Sequence, residues 1–320
     1  MNLKITGKSR EMRIVTTAIL LVFTLIMVPV FSYFFGTAPG ATEWQVLQVL
    51  MIIAGIAAAY SFLAGELTRN NSQVDKLWSL LPVAYVWVVA GYGGFSSRLV
   101  LMAVLVSLWG IRLTINFALK GAYMWRFWGG EEDYRWKALR EKPGFSPRWK
   151  WTLFNLFFIS LYQNVLILLF TLPAVVALQY DSSSPGIADG LVAGLMLFFI
   201  VFETVADLQQ WKFQSRKKAL VKTGDELTGD YKRGFPDKGL WALCRHPNYF
   251  AEQAIWVCFY LFSITSGGPV INWSLTGCLL LMVLFQGSTD FTEEISAGKY
   301  PEYQDYQQKV PGFFPFGRRR

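Results

Sequence analysis

The sequence predicts an all-α, polytopic membrane protein of seven to eight transmembrane helices with both termini cytoplasmic. Three observations carry this expectation. Apolar residues make up 53% of the 320-residue chain and charged residues 16%, whereas a soluble domain carries about 25% charge. Uncharged runs are long: residues 14–36, IVTTAILLVFTLIMVPVFSYFFG, contain no charge, and about 20 apolar residues cross a bilayer. Eight such segments also divide the 30 Lys and Arg residues so that all but Arg98 fall on one side. Basic loops stay in the cytoplasm, so an even number of spans leaves both ends inside.

In chain order the spans are 14–36, 44–65, 74–93, 99–119, 151–178, 187–211, 249–266 and 269–286. The first is too long for a signal peptide, and no small-x-small cleavage site follows it. The third opens on Asp75 and Lys76. The outer loops, 37–43, 94–98, 179–186 and 267–268, are short. Nearly all hydrophilic sequence lies on the inner face, in two long loops and a tail. Neither a repeat nor a low-complexity linker is evident, so residues 1–320 read as one domain. In the first inner loop, RFWGGEEDYRWKALREKPGFSPRWKW, charges recur at helical spacing over 131–141, as in Glu132–Trp136–Arg140, with aromatic residues between them. That pattern predicts a helix lying in the membrane interface.

Several function classes drop out. The net charge of +8 follows from orientation in the membrane and needs no nucleic acid. Cys244, Cys258 and Cys278 have no CxxC spacing and His246 is the one histidine, which argues against a metal site or disulfide. GYGGF at 91–95 is not a dinucleotide fingerprint, and no P-loop occurs.

Ionisable groups inside spans point to function. Glu203, Asp207, Gln210 and Gln214 recur at steps of four, three and four, forming one helical stripe. The stripe runs into Lys212, Arg216, Lys217 and Lys218. Carboxylates and amides hydrogen-bond hydroxyls, and Arg and Lys bind phosphate. The stripe is therefore either a groove for a ligand with hydroxyls and phosphates or a set of helix–helix contacts ending in orientation-setting cations. Arg112, Asn116 and Lys120 share a face of the fourth span, with Trp109 one turn before Arg112; snorkelling at a span end is the plainer explanation. Asp75 is either a helix N-terminal residue or an acid aimed into a cavity.

GLWALCRHPNYFAEQ, with Arg-His-Pro-Asn-Tyr followed by an acidic residue, resembles a signature of the steroid 5α-reductase and sterol C14/C24 reductase group. A variant of it occurs in isoprenylcysteine carboxyl methyltransferases. TEEISAGKYPEYQDYQQKVPGFFPF is similar to the C-terminal pattern of the same group, and ETVADLQQWKF, VDKLWSLLP, LWGIRL and EEDYRWKALRE resemble its bacterial branch. The likeness runs over 75–316.

The resemblance implies an NADPH-dependent reductase of a conjugated enone, with spans 14–119 on the substrate side and 151–316 on the cofactor side. Carried over, it places Asp207, Arg245, His246, Asn248, Tyr249 and Glu252 along NADPH, with Glu294, Tyr300 and Tyr303 closing over it. Glu203, Lys212 and Arg216 join this set from the stripe. Arg245 would clamp pyrophosphate, while Asn248 and Glu252 reach amide or ribose groups. His246 would hydrogen-bond the dinucleotide. Asp75, Trp109 and Arg112 are the candidate catalytic residues. The chain departs from the pattern, because Trp109 stands where the steroid enzymes carry a carbonyl-binding Tyr. Tyr60 or Tyr85 could serve instead, or the substrate is not a steroid ketone. The expected partners are an apolar substrate from the bilayer and membrane lipids, with the chain a monomer in a bacterial inner membrane or the endoplasmic reticulum. An S-adenosylmethionine-dependent methyltransferase and a non-enzymatic scaffold are the competing readings.

Overall fold

The computed structural model describes residues 19–145, 147–182 and 184–315. Within them the regular secondary structure is helical. The helices are α1 (Ile19–Phe35), α2 (Ala41–Thr68), α3 (Gln73–Tyr92), α4 (Ser97–Leu119), α5 (Tyr134–Arg140) and α6 (Arg148–Gln179). They continue as α7 (Ile187–Thr223), α8 (Gly229–Arg233), α9 (Pro247–Thr265), α10 (Leu275–Lys299) and α11 (Tyr303–Lys309).

Among the described residues, α2, α3, α4, α6, α7 and α10 are long and apolar enough to cross a membrane. The chain is thus a multi-pass, all-helical integral membrane protein. The expected seven to eight spans exceed these six. The two others, α1 and α9, are helices where the sequence places them, but α1 is shorter in its described part. Helix α9 carries Asn248, Glu252 and Gln253 in its first two turns. Residues 14–18 of the first expected span, and both chain ends, lie outside the described residues. The last span begins at Leu275 rather than 269. There the Asn272 side chain accepts from the Ser274 N–H at 3.1 Å and the Ser274 hydroxyl at 2.6 Å, a local turn that competes with helix.

Helices alternate in direction. At one end, Arg98 of α4 meets Asp181 at 2.5 Å and Asp189 of α7 at 3.1 Å, and Gln179 donates to the Ala38 carbonyl at 2.8 Å. The other end carries the Lys- and Arg-rich loops, and is called inner below. The most extensive pairings are α7 with α9, α2 with α6 and α3 with α4. A continuous apolar core joins α2, α3, α4, α6, α7, α9 and α10. Through it runs an aromatic row: Trp78–Phe170 at 5.5 Å, Phe170–Trp256 at 4.2 Å and Trp256–Trp109 at 4.9 Å between centroids.

The interfacial helix expected over 131–141 is corrected. Only Tyr134–Arg140 is helical, because the Asp133 carboxylate accepts from the Arg135 N–H at 2.9 Å and so caps the helix. Residues 121–133 form a loop tied to the α2–α3 turn, where Glu132 accepts from the Asn71 N–H at 2.8 Å and from Arg140 at 2.6 Å.

Candidate functional site

Arg112 organises the polar interior. Its guanidinium lies 2.7 Å from Glu203, 2.7 Å from Asp207 and 3.4 Å from Glu252. Helix α4 brings it there because Trp109, Arg112 and Asn116 are spaced for one face. Helix α7 contributes Glu203 and Asp207 one turn apart, and α9 contributes Asn248 and Glu252 one turn apart. All three carboxylates are buried. Asp207 also accepts from Asn116 at 2.9 Å and Asn248 at 3.1 Å. Glu252 accepts from Trp109 and Trp256, each at 2.9 Å, one indole on each carboxylate oxygen.

Isolated charges in a bilayer are costly and are found paired or facing the bundle interior. Here three carboxylates surround one guanidinium, so the cluster is formally anionic. Its donors are nearly all engaged with its own acceptors. Three of its buried atoms have no hydrogen-bond partner: Arg112 Nε, Asn248 Oδ1 and Glu203 Oε2, which meets Arg112 as an ion pair at 2.7 Å without hydrogen-bond geometry. The half-buried Tyr249 follows at the inner rim.

A second cluster lies one turn closer to the loops. Glu293 of α10 accepts from Arg245 Nε at 2.6 Å and Gln307 at 2.8 Å, and faces His246 Nε2 at 3.0 Å. Arg245 also donates to the carbonyls of Gln307, at 3.0 Å, and Val310. The backbone N–H groups of Arg245 and His246 donate to Pro311 and Gly312 at 2.9 and 3.1 Å. The tail is thus strapped across the start of α9. Pro247 opens that helix where a missing N–H costs nothing. His246 stacks on Tyr249 at 5.3 Å.

Asp75 is half-buried and accepts from Trp136 of α5 at 2.8 Å. Next to it, Asp133 and Arg135 pair through two contacts, at 2.8 and 3.1 Å. Burial alone would raise the Asp133 carboxyl, but the Arg135 charge and hydrogen bonds outweigh it and hold the group below its ordinary value. Burial pushes the Cys244 thiol up to about 11, which removes it as a nucleophile at neutral pH.

Of the predicted residues, Trp109, Arg112, Glu203, Asp207, Asn248 and Glu252 converge on one centre. Arg245 and His246 belong to the tail strap instead, with the Arg245 guanidinium occupied by protein groups. Glu294 is exposed and pairs with Lys142 at 3.0 Å; the inward carboxylate is its neighbour Glu293. The signal for Glu293 was its spacing, two turns after Phe285, whose ring meets Tyr249 at 5.0 Å. Helix α7 stays continuous to Thr223. Lys212 and Arg216 lie five and nine residues past Asp207, so they point about 140° and 180° away from it at 100° per residue, and both are exposed. Tyr300 bonds Lys217 at 3.2 Å. Tyr303 packs with Phe235 and Tyr306 beneath the tail. Tyr60 donates to Gln73 at 3.1 Å, and the buried Tyr85 hydroxyl has no partner. Sequence reasoning missed Trp256, which looked like an ordinary core residue of an apolar span. It also missed Arg135 and Trp136, read as parts of a surface helix.

Residues 61–310 match a family described as "Protein of unknown function (DUF1295)". A protein of Schizosaccharomyces pombe, described as uncharacterized, is 39% identical over 259 residues, covering 78% of this chain and 73% of its own length. No solved structure matches the chain significantly. The matched region takes in the Arg112 centre, the tail strap to Val310 and the six membrane-length helices apart from the first part of α2. The chain is a membrane protein of the DUF1295 family.

Proposed function

We propose that this protein is an NADPH-dependent reductase of a carbon–carbon double bond conjugated to a carbonyl in an apolar substrate. The observation that carries the reading is the pair of joined clusters at the start of α9. A carboxylate-rich centre lies deep, and half-buried polar groups and cations lie at its inner rim. NADPH has the matching polarity, with its phosphates at one end and an uncharged carboxamide at the other. When bound, it supplies the hydride that adds to the β-carbon, while the double-bond electrons move onto the carbonyl oxygen and a proton reaches the α-carbon.

The donor set fits such a group. Asn248 Oδ1 and Arg112 Nε are buried without partners, and an amide or hydroxyl would satisfy either. The Asn248 side-chain oxygen would accept from the carboxamide. Arg135, paired with Asp133 and beside Tyr249, and Lys217, bonded to Tyr300, would be the rim cations nearest to phosphate. Arg112, Trp109 and Trp256 hold Glu252 and Asp207 in place. Asp75, kept in one orientation by Trp136, is the acid placed to protonate the substrate or polarise its carbonyl. The substrate class follows the family resemblance: a 3-oxo-Δ4-steroid-like or isoprenoid enone.

Titration of the detergent-purified protein tests this. NADPH should bind far more tightly than S-adenosylmethionine, and Asn248→Ala should weaken it about tenfold, the worth of one hydrogen bond at about 1.4 kcal/mol. Tighter binding of S-adenosylmethionine would overturn the reductase reading in favour of a methyltransferase.

A further inference from the structure

Residues 121–131 stand outside the site already described, and their side chains are turned the wrong way for a soluble loop. Trp125 is 103% exposed, Met124 66% and Trp128 51%. Large exposed apolar groups clustered together mark a contact surface. The backbone beneath them is held firmly. Lys76, whose side chain is fully buried, donates to the Phe127 carbonyl and, at 2.6 Å, to the Gly129 carbonyl. Gln73 donates to the Trp128 carbonyl at 2.9 Å, and Asn70 to the Gly130 carbonyl at 3.0 Å. The neck closes through Glu131 N–H to Gly121 O at 2.9 Å. Gly121 and Gly130 have φ of +85° and +105°, and a Cβ on Gly130 would stand 2.0 Å from the Ala122 carbonyl oxygen. The chain thus directs its carbonyls inward to a buried cation and its rings outward.

The depth of the loop identifies what the rings meet. The Phe127 ring lies 6.0 Å from that of Tyr60. Tyr60 is eight residues before Thr68, the last residue of α2, which is about 12 Å along the helix at 1.5 Å per residue. The loop therefore folds back from the end of α4 to the level of the apolar part of α2. Arg126 stands in the middle of the exposed rings. Aromatic rings with flanking cations suit the boundary between headgroups and acyl chains.

We propose that the loop Tyr123–Trp128 is a preformed wedge seated in the inner leaflet of the bilayer, with Met124, Trp125 and Trp128 at the acyl–headgroup boundary. It is a lipid-binding surface, independent of the enzymatic reading. The three native cysteines are buried, so a Trp125→Cys protein takes a single environment-sensitive fluorophore there. A Glu302→Cys protein provides an exposed control on the tail. Both go into phosphatidylcholine–phosphatidylglycerol nanodiscs. Emission at position 125 should be lost with lipids carrying a shallow doxyl group and unaffected by aqueous iodide, with the reverse at position 302. Quenching of position 125 by iodide alone would show a loop in water and overturn the proposal. Protection from both quenchers would show a protein partner or second copy on the loop, and would overturn it equally.

Discussion

Replacing Arg112 by Ala removes one guanidinium from three buried carboxylates. In the folded protein its side chain is 8% exposed and those of Glu203, Asp207 and Glu252 are 6%, 9% and 7% exposed. Solvent screening is therefore slight. Removing one partner of a buried ion pair costs about 3–5 kcal/mol, because the remaining charge stays desolvated. Asp207 keeps Asn116 and Asn248 as donors, and Glu252 keeps two indoles. Glu203 loses its closest cation, so the cost should come chiefly through Glu203. That identifies the rescue: Arg112→Ala with Glu203→Gln should recover part of the loss, with a coupling of about 0.5–3 kcal/mol expected of groups in one network. Thermal unfolding in detergent reads the effect as a fall in Tm on the order of 10 °C for Arg112→Ala, by the scaling for large domains. A fall of under about 2 °C, or strictly additive behaviour of the two substitutions, would refute a desolvated ion cluster and return Arg112 to the role of a snorkelling span-end cation.

Two further outcomes are expected. Glu293→Gln removes the charge shared by Arg245, His246 and Gln307; limited proteolysis should then cut the tail after Lys299 or Lys309 faster than in the parent protein, while cutting in 212–222 is unchanged. Asp133, held below its ordinary carboxylate value by Arg135, contributes stability that is present above that ordinary value, about 3.9, and lost as pH falls through the folded one. Asp133→Asn should therefore lower Tm at pH 7, and the gap should close on acidification below pH ~4.

The membrane class and the order of the helices were legible from uncharged runs, since these are set by the bilayer and need no tertiary contacts. The Arg112 centre was half legible. Periodicity placed Glu203 with Asp207, and Arg112 with Asn116, each on a single helix face. It could not show that the two faces meet, because pairing of α4 with α7 and α9 is set by packing across the core. The basic run after Asp207 misled for a related reason. Proximity in sequence suggested a continuous site, but 100° per residue turns Lys212 and Arg216 out of it. The protein partners of Arg245 were not legible, because a motif gives residue types and leaves out competing partners. The tail carbonyls that occupy its guanidinium lie more than 60 residues away in the chain. The loop at 121–133 escaped the helical reading because Asp133 caps α5 and Gly121 and Gly130 take positive φ, choices invisible to a charge pattern averaged over ten residues.

The charge layout restricts how any dinucleotide could lie. Three carboxylates share one guanidinium at the deep end, and both oxygens of Glu252 are taken by indoles. A phosphate brought there would meet net negative charge in a low-dielectric interior, where repulsion is strong. On the NADPH reading, phosphates would therefore stay at the rim near Arg135 and Lys217, and the uncharged carboxamide and its ribose would go inward to Asn248 and Arg112. Asp75 lies on the α3–α5 side, bonded to Trp136 and beside Asp133 and Arg135, and the aromatic row from Trp78 to Trp109 runs through the core from α3 to α4. Trp109, Phe170 and Trp256 are fully buried in that row, so an apolar substrate with its polar end toward Asp75 would meet only the half-buried Trp78 at its near end. Trp109, unable to ionise, has its N–H committed to Glu252 and its ring packed edge-on against Trp256, so on the reductase reading the task of meeting the carbonyl falls to Asp75 rather than to the residue in the tyrosine's position.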